Sequence, residues 1–171
     1  GVYYILSTAE AASNLSRYDG VIYGDRKNSQ DIKGMYKNTR SSGFGEEVKR
    51  RIILGTFVLS SGYYDSFYNK ALKVRRLIKN DFLKVFKDVD LILTPTAPSS
   101  AFKIGEKINN PIDMYLSDIY TVPMSLAGLP AMNFPAGNDK NKMPIGLQLT
   151  ANQFEENKIF ALSKFIENNL Y

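Results

Sequence analysis

The 171-residue chain has no cysteine and no histidine, and these two absences exclude more chemistry than any single motif supplies. Without thiols there are no disulfides and no thiolate metal sites, and a reducing compartment is permitted. Without imidazole the chain by itself holds no Ser-His-Asp arrangement, no Cys-His pair and no histidine-ligated metal. No apolar run approaches the roughly 18 to 20 residues needed to cross a bilayer, and nothing at the start resembles a secretory signal. The chain opens Gly1-Val2-Tyr3-Tyr4, with no methionine and already inside helical patterning, so a fragment is expected. What is present is a hydrophobic content of 44%, enough for a genuine core, and a net charge of +5. That charge is compatible with contact to RNA or another polyanion, although lysines scattered over solvated helix faces give the same total.

Hydrophobic spacing predicts a helix from Tyr3 to about Leu15, favoured by Ala9, Ala11 and Ala12, with Asp19-Gly20 closing the loop after it. Residues 23–43 read as a surface excursion with a short helix near Ile32 to Arg40. A helix over Phe44 to Leu59 and a break at Ser61-Gly62 follow. The clearest pattern comes next: Tyr64, Phe67, Tyr68, Ala71, Leu72, Arg75, Ile78, Phe82, Val85 and Phe86 keep a spacing of three or four. That spacing predicts one buried face, opposite a wet stripe of Lys70, Lys73, Asn80, Lys84 and Lys87. Asp90 to Thr94, stopped by Pro95, reads as a fully buried strand. Asn110-Pro111-Ile112-Asp113 has the cap, proline and acid of a helix start, and Thr121-Val122-Pro123 repeats the device before Gly128 ends the helix. Ala131 to Phe134 and Ile145 to Leu149 read as strands joined by the loop 135–143. Asn152 with Glu155 resembles a capping box before a final helix striped by Ile159, Leu162, Ser163, Ile166 and Leu170. Helices alternate with single strands, which is an α/β pattern, and no repeat or low-complexity linker divides residues 1–171.

Three stretches carry a family resemblance: VPMSLAGLPAMNFPAGNDKNKMPIGLQL at 122–149, GFGEEVKRRIILGTFVLSSGYYDSFYNKALKVRRLI at 43–78, and LTPTAPSSAF at 93–102. They resemble the C-terminal half of the amidase signature family and, within it, the A subunits of aspartyl/glutamyl-tRNA amidotransferases. The resemblance runs over essentially the whole chain. It implies the C-terminal part of the amidase signature fold, a mixed sheet flanked by helices, as one portion with no internal boundary. It further implies a serine nucleophile activated through a second serine and a lysine base, all upstream of Gly1, so that this chain by itself is inactive. The pairs Ser41-Ser42-Gly43 and Ser60-Ser61-Gly62 have a superficial likeness to that nucleophile segment but lack its flanking glycines, and they read as caps or turn residues.

The same resemblance implies that the chain keeps the recognition end of a glutamine site. An arginine for the α-carboxylate, an aspartate for the α-ammonium and a nearby tyrosine fall on Arg51, Asp118 and Tyr3. Guanidinium offers a planar fork to a carboxylate, and a carboxylate is the natural acceptor for a primary ammonium. Taken without the family, Arg51 and Asp118 are ordinary helical charges, and Tyr3 is uninformative. Ala127-Gly128-Leu129-Pro130 and Pro144-Ile145-Gly146-Leu147-Gln148 read either as pocket wall or as ordinary turns. In the family's intact enzyme, a cytoplasmic one, glutamine yields ammonia, which passes to the B subunit for ATP-dependent amidation of glutamyl-tRNA(Gln) or aspartyl-tRNA(Asn). ATP and Mg belong to that partner, the C subunit completes the complex, and tRNA is held mainly by the partner. The alternatives are another carboxamide hydrolase of the family, a non-catalytic interaction module and an autonomous RNA binder.

Overall fold

The computed structural model describes residues 1–105, 114 and 116–170. By packing they form two compact units, Gly1–Val74 and Arg75–Tyr171. The first contains α1 (Val2–Leu15), α2 (Ile32–Gly43), α3 (Glu46–Val58), a π-helical turn (Tyr64–Asn69) and the start of α4 (Lys70–Val85).

α1 presents Leu6, Ala9 and Ala12 as its buried stripe and packs along α3. The contact is a backbone approach. Gly55 of α3 lies so close to α1 that an added methyl would overlap the carbonyl of Thr8 and crowd the side chain of Ala12. Thr8 turns its hydroxyl back onto Tyr4 O at 2.7 Å, which satisfies the polar group within its own helix. α2 starts where Asp31 accepts the Gly34 amide at 2.7 Å and buries Met35 and Thr39. From its last turn Arg40 donates through Nη1 to Leu15 O (2.9 Å) and Tyr18 O (3.2 Å), placing a cation at the C-terminal end of α1 and its following turn. The loop between them turns as expected at Asp19-Gly20: Asp19 accepts the Val21 amide at 2.8 Å, and Gly20 adopts φ +83° against the Thr39 side chain.

The long helix expected from Tyr64 differs in two respects. Its first six residues are π-helical and the α-helix begins at Lys70. Its apolar face is also less covered than the spacing predicts: Ala71 is the buried residue of α4, whereas Tyr64, Phe67, Leu72 and Val85 are exposed. Amphipathic spacing says which side is apolar and does not supply a cover for it. Before α4, Phe57, Tyr63 and Phe67 pack on one another instead, with ring centroids 4.1 to 6.1 Å apart. The lysine stripe is exposed, as expected.

The second unit holds most of α4 together with β1 (Leu91–Pro95), α5 (Val122–Ala127), β2 (Ala131–Asn138), β3 (Pro144–Ala151) and α6 (Glu156–Leu170). The α/β class holds. The sheet runs β1-β3-β2 with both pairings antiparallel. Among the described residues β1 is therefore an edge strand, and Leu93 is 55% exposed, which corrects the reading of a fully buried strand. An apolar run records hydrophobicity and leaves position in the sheet unspecified.

Strand alternation gives β3 two different faces. Leu149 and Ala151 meet Ile159 of α6 in a dry core bordered by Leu91, Met132, Phe134, Leu162 and Ile166. Gln148 and Thr150 point to the other side. α5 stops at Gly128 with φ +70°, and Arg75 of α4 donates to Leu126 O at 2.7 Å, neutralising the helix's C-terminal carbonyl end. Gln153 links Lys79 (3.1 Å) to Gly128 O (3.0 Å) beside it. The expected capping box is not formed: the helix starts at Glu156, after a turn in which Asn152 bonds the Gln153 amide and Phe154 takes φ +64°. The helix start expected at 110–113 lies outside the described residues.

Candidate functional site

In the second unit, an open cleft of about 540 Å³ forms where the chain leaves β1 and crosses the β2–β3 hairpin. Thr96 extends the ladder by one residue, its amide donating to Gly146 O at 2.9 Å. Gly146 keeps the approach close, since a Cβ there would stand 2.8 Å from Thr96 Oγ1 and push that side chain aside. The floor is Pro95, Ala97, Pro98, Pro144 and Ile145. On the polar rim Ser100 donates to Asp139 Oδ2 at 2.6 Å, while Asp139 Oδ1 takes the amides of Asn141 (2.8 Å) and Met143 (2.9 Å). The Ser100 hydroxyl first, and then the backbone amides, hold the Asp139 carboxyl below the usual aspartate range. Asp139 thus acts as the knot of the hairpin turn, with its acceptor positions engaged.

The opposite wall is a turn that contributes Ser117 and Tyr120, with Asp118 between them. Spacing puts Asp118 on a helix, but residues 117–121 form a turn leading into α5. Its carbonyl accepts the amides of Thr121 (3.2 Å) and Val122 (3.0 Å), and its carboxylate side is exposed. From the central strand, the buried Gln148 donates Nε2 to Tyr120 O at 3.0 Å. Of the two glycine-proline segments read as possible pocket wall, Pro144 to Gly146 line the cleft, and Ala127 to Pro130 are not among its lining residues.

Tyr3 and Arg51 belong to the first unit, on α1 and α3, two helices packed together. Tyr3 is half-buried, its ring edge-on to Tyr4 with centroids 5.2 Å apart. Arg51 is 40% exposed in its side chain and bonds through Nε to Glu47 Oε1 at 3.1 Å, while the other Glu47 oxygen meets Arg50 at 3.4 Å. A solvated pair of this kind contributes about 0 to 1 kcal/mol, so a ligand carboxylate can displace Glu47 at little cost. Asp118 lies in the second unit. The paired serines take local roles: Ser42 bonds Asn38 O at 2.8 Å at the end of α2, and Ser60 bonds Phe57 O at 2.7 Å after α3. Among the described residues no group of three acidic side chains gathers as a metal site, and no helix is long and apolar enough to cross a membrane.

The amidase family's sequence profile matches residues 1–160. The chain belongs to the amidase family. Within it, this chain is 57% identical over 168 residues to the A subunit of glutamyl-tRNA(Gln) amidotransferase from Pelagibacter ubique, covering 98% of its own length and 35% of that protein. The protein of the same name from Halothermothrix orenii is 56% identical over 169 residues, with the same coverage. The crystal structure of the corresponding glutamyl-tRNA(Gln) amidotransferase A chain from Thermotoga maritima superimposes with a TM-score of 0.60 at 37% identity, over 97% of this chain and 38% of that one. A crystal structure described as an amidase reaches a TM-score of 0.72 at 22% identity, over 99% of this chain and 35% of that one, a likeness of fold alone. This amidase-family chain therefore spans about a third of the length of the curated relatives it matches.

Sequence reasoning did not single out Gln148, Ser100 or Asp139 as parts of one site. For Asp139 a signal existed, since an aspartate opening a hairpin loop commonly accepts the amides that follow it. For Gln148 the only signal was a polar residue interrupting an apolar strand.

Proposed function

We propose that this chain is the glutamine-recognising C-terminal part of the glutaminase subunit of a tRNA-dependent amidotransferase. The observation that carries the reading is the 57% identity, over 98% of the chain, to a protein named as the A subunit of glutamyl-tRNA(Gln) amidotransferase. On this reading Arg51 takes the α-carboxylate of free glutamine, Asp118 takes its α-ammonium, and Tyr3 stands beside them. The physical support is that both charges are accessible and lightly committed. Arg51 is held by one solvent-exposed glutamate, and the Asp118 side chain is exposed on a turn closed by bonds to the Asp118 backbone carbonyl. Grasping both ends of a zwitterion selects a free amino acid over a simple amide, because an analogue lacking either group leaves a charge unpaired.

Hydrolysis itself falls to a serine and lysine outside these residues, so the 171-residue chain alone has no glutaminase turnover. The released ammonia passes to the B subunit, where ATP and Mg activate the aminoacyl-tRNA, with the C subunit completing the cytoplasmic complex. The test uses the full-length glutaminase subunit in its complex. Arg51→Ala lowers kcat/KM for glutamine by about 2 to 5 kcal/mol more than for 4-aminobutanamide, which lacks the α-carboxylate. Equal losses for both amides defeat the assignment and leave a carboxamide hydrolase of other specificity.

A further inference from the structure

We infer that Gln148 is a positioning residue for ammonium recognition, acting by fixing the turn that carries Asp118. The inference rests on the proposed role of Asp118 and adds the element that holds it in place.

Gln148 sits on β3, the central strand, flanked by Thr94 of β1 and Asn133 of β2. Its side chain projects from the face opposite the Leu149, Ala151 and Ile159 core and is 2% exposed. A buried primary amide in a central strand is costly unless its donors are engaged. Here Nε2 donates to Tyr120 O at 3.0 Å and lies 3.5 Å from Thr94 Oγ1. Tyr120 is two residues from Asp118, and between them the backbone is already closed on itself. Asp118 O accepts from Thr121 and Val122, and the Thr121 hydroxyl points at the same carbonyl at 3.4 Å. Those bonds close residues 118–122 into a turn, and Gln148 ties that turn to the sheet. A displacement at Tyr120 O therefore moves Asp118 with it. A leucine at position 148 would suit the strand equally well and remove that tie. Since recognition of an ammonium requires the carboxylate to be placed to within about an ångström, the tie acts on binding and leaves the chemical step alone.

The experiment compares glutamine with glutaramate, which keeps the carboxylate and the amide but lacks the α-ammonium, in the full-length glutaminase subunit within its complex. Gln148→Met is expected to raise KM for glutamine about tenfold with kcat within about twofold, the loss of one hydrogen bond's net worth, while glutaramate turnover is unchanged. In an Asp118→Asn background the same substitution adds nothing further. An Asp118→Asn variant whose glutamine-to-glutaramate preference is unaltered overturns the reading of Asp118 and this inference with it. A preference that falls in Asp118→Asn but persists in Gln148→Met overturns this inference alone, as does an effect of Gln148→Met that multiplies independently with Asp118→Asn. Should Gln148→Met fail to fold, Thr94→Val carries the test by releasing the second contact of the amide. A preference lowered about twofold to threefold supports the tie, and an unchanged preference removes it.

Discussion

The two compact units cover their helices with different materials. In the first, α1 and α3 meet through Gly55, Thr8 and Ala12, so backbone lies on backbone and the large aromatics Phe57, Tyr63 and Phe67 are left to pack on one another near the surface. In the second, α6 meets the sheet through Ile159 against Leu149 and Ala151, a dry aliphatic contact with the larger side chains inside. A joint made by close approach is injured by added atoms, and one made by filling space is injured by lost atoms.

The comparison can be broken or sharpened by substitution. The largest effect is expected from Ile159→Ala, about 4 kcal/mol of destabilisation in denaturant unfolding, with amide-exchange protection lost first in 75–170. Gly55→Ala is expected to cost about 2 to 3 kcal/mol although it adds a single methyl to a helix, with protection lost first in 1–74. If either variant lowers protection evenly over both ranges, the two units unfold as one and the contrast collapses. Arg75→Met, which removes the donor to Leu126 O and keeps most of the stem, should cost about 1 to 2 kcal/mol and fray α5 and the turn at Gly128.

The smallest effect concerns pH and is measured in the second unit, although Glu46 of the first is lowered in the same way by Lys49. Asp139, held below the usual aspartate range by Ser100 and the hairpin amides, contributes stability that is present above that range and lost as pH falls through its lowered value. Asp90 behaves likewise through Lys158. Lys158, raised by Asp90 and then Glu155, contributes stability that is complete below the ordinary lysine value and lost as pH rises through its raised one. Asp139→Asn should therefore flatten the acid limb of a melting-temperature profile against pH and leave the alkaline limb in place.

Much of the fold was legible because its signals are local. Ala9 to Ala12, Asp19-Gly20 and Gly128 each act within a few residues, and α1, α2, α3 and the β2–β3 hairpin lie close to where spacing and turn chemistry put them. What was not legible depends on distant neighbours. The π-helical turn at Tyr64–Asn69 escapes a spacing rule because aromatics at Tyr64, Phe67 and Tyr68 satisfy that rule in either helix type. The exposure of Leu93 and the place of β1 at the sheet's edge among the described residues depend on what covers the strand, which a five-residue run does not encode. The cleft escaped because Ser100 and Asp139 are thirty-nine positions apart and meet through the hairpin's path. Arg51, Asp118 and Tyr3 are joined by family resemblance alone; spacing gives no reason to join them.

Gly55 pressed against the Thr8 carbonyl also fixes a registry. With so little clearance, α1 can neither slide along α3 nor roll on it by a fraction of a turn without a collision or a gap, so the pair behaves as a keyed joint. The placement of Tyr3, five residues before Thr8, relative to Arg51, four residues before Gly55, is inherited from that joint. A change at a glycine that touches no ligand would thereby reset the separation of two side chains, one on each helix of the pair.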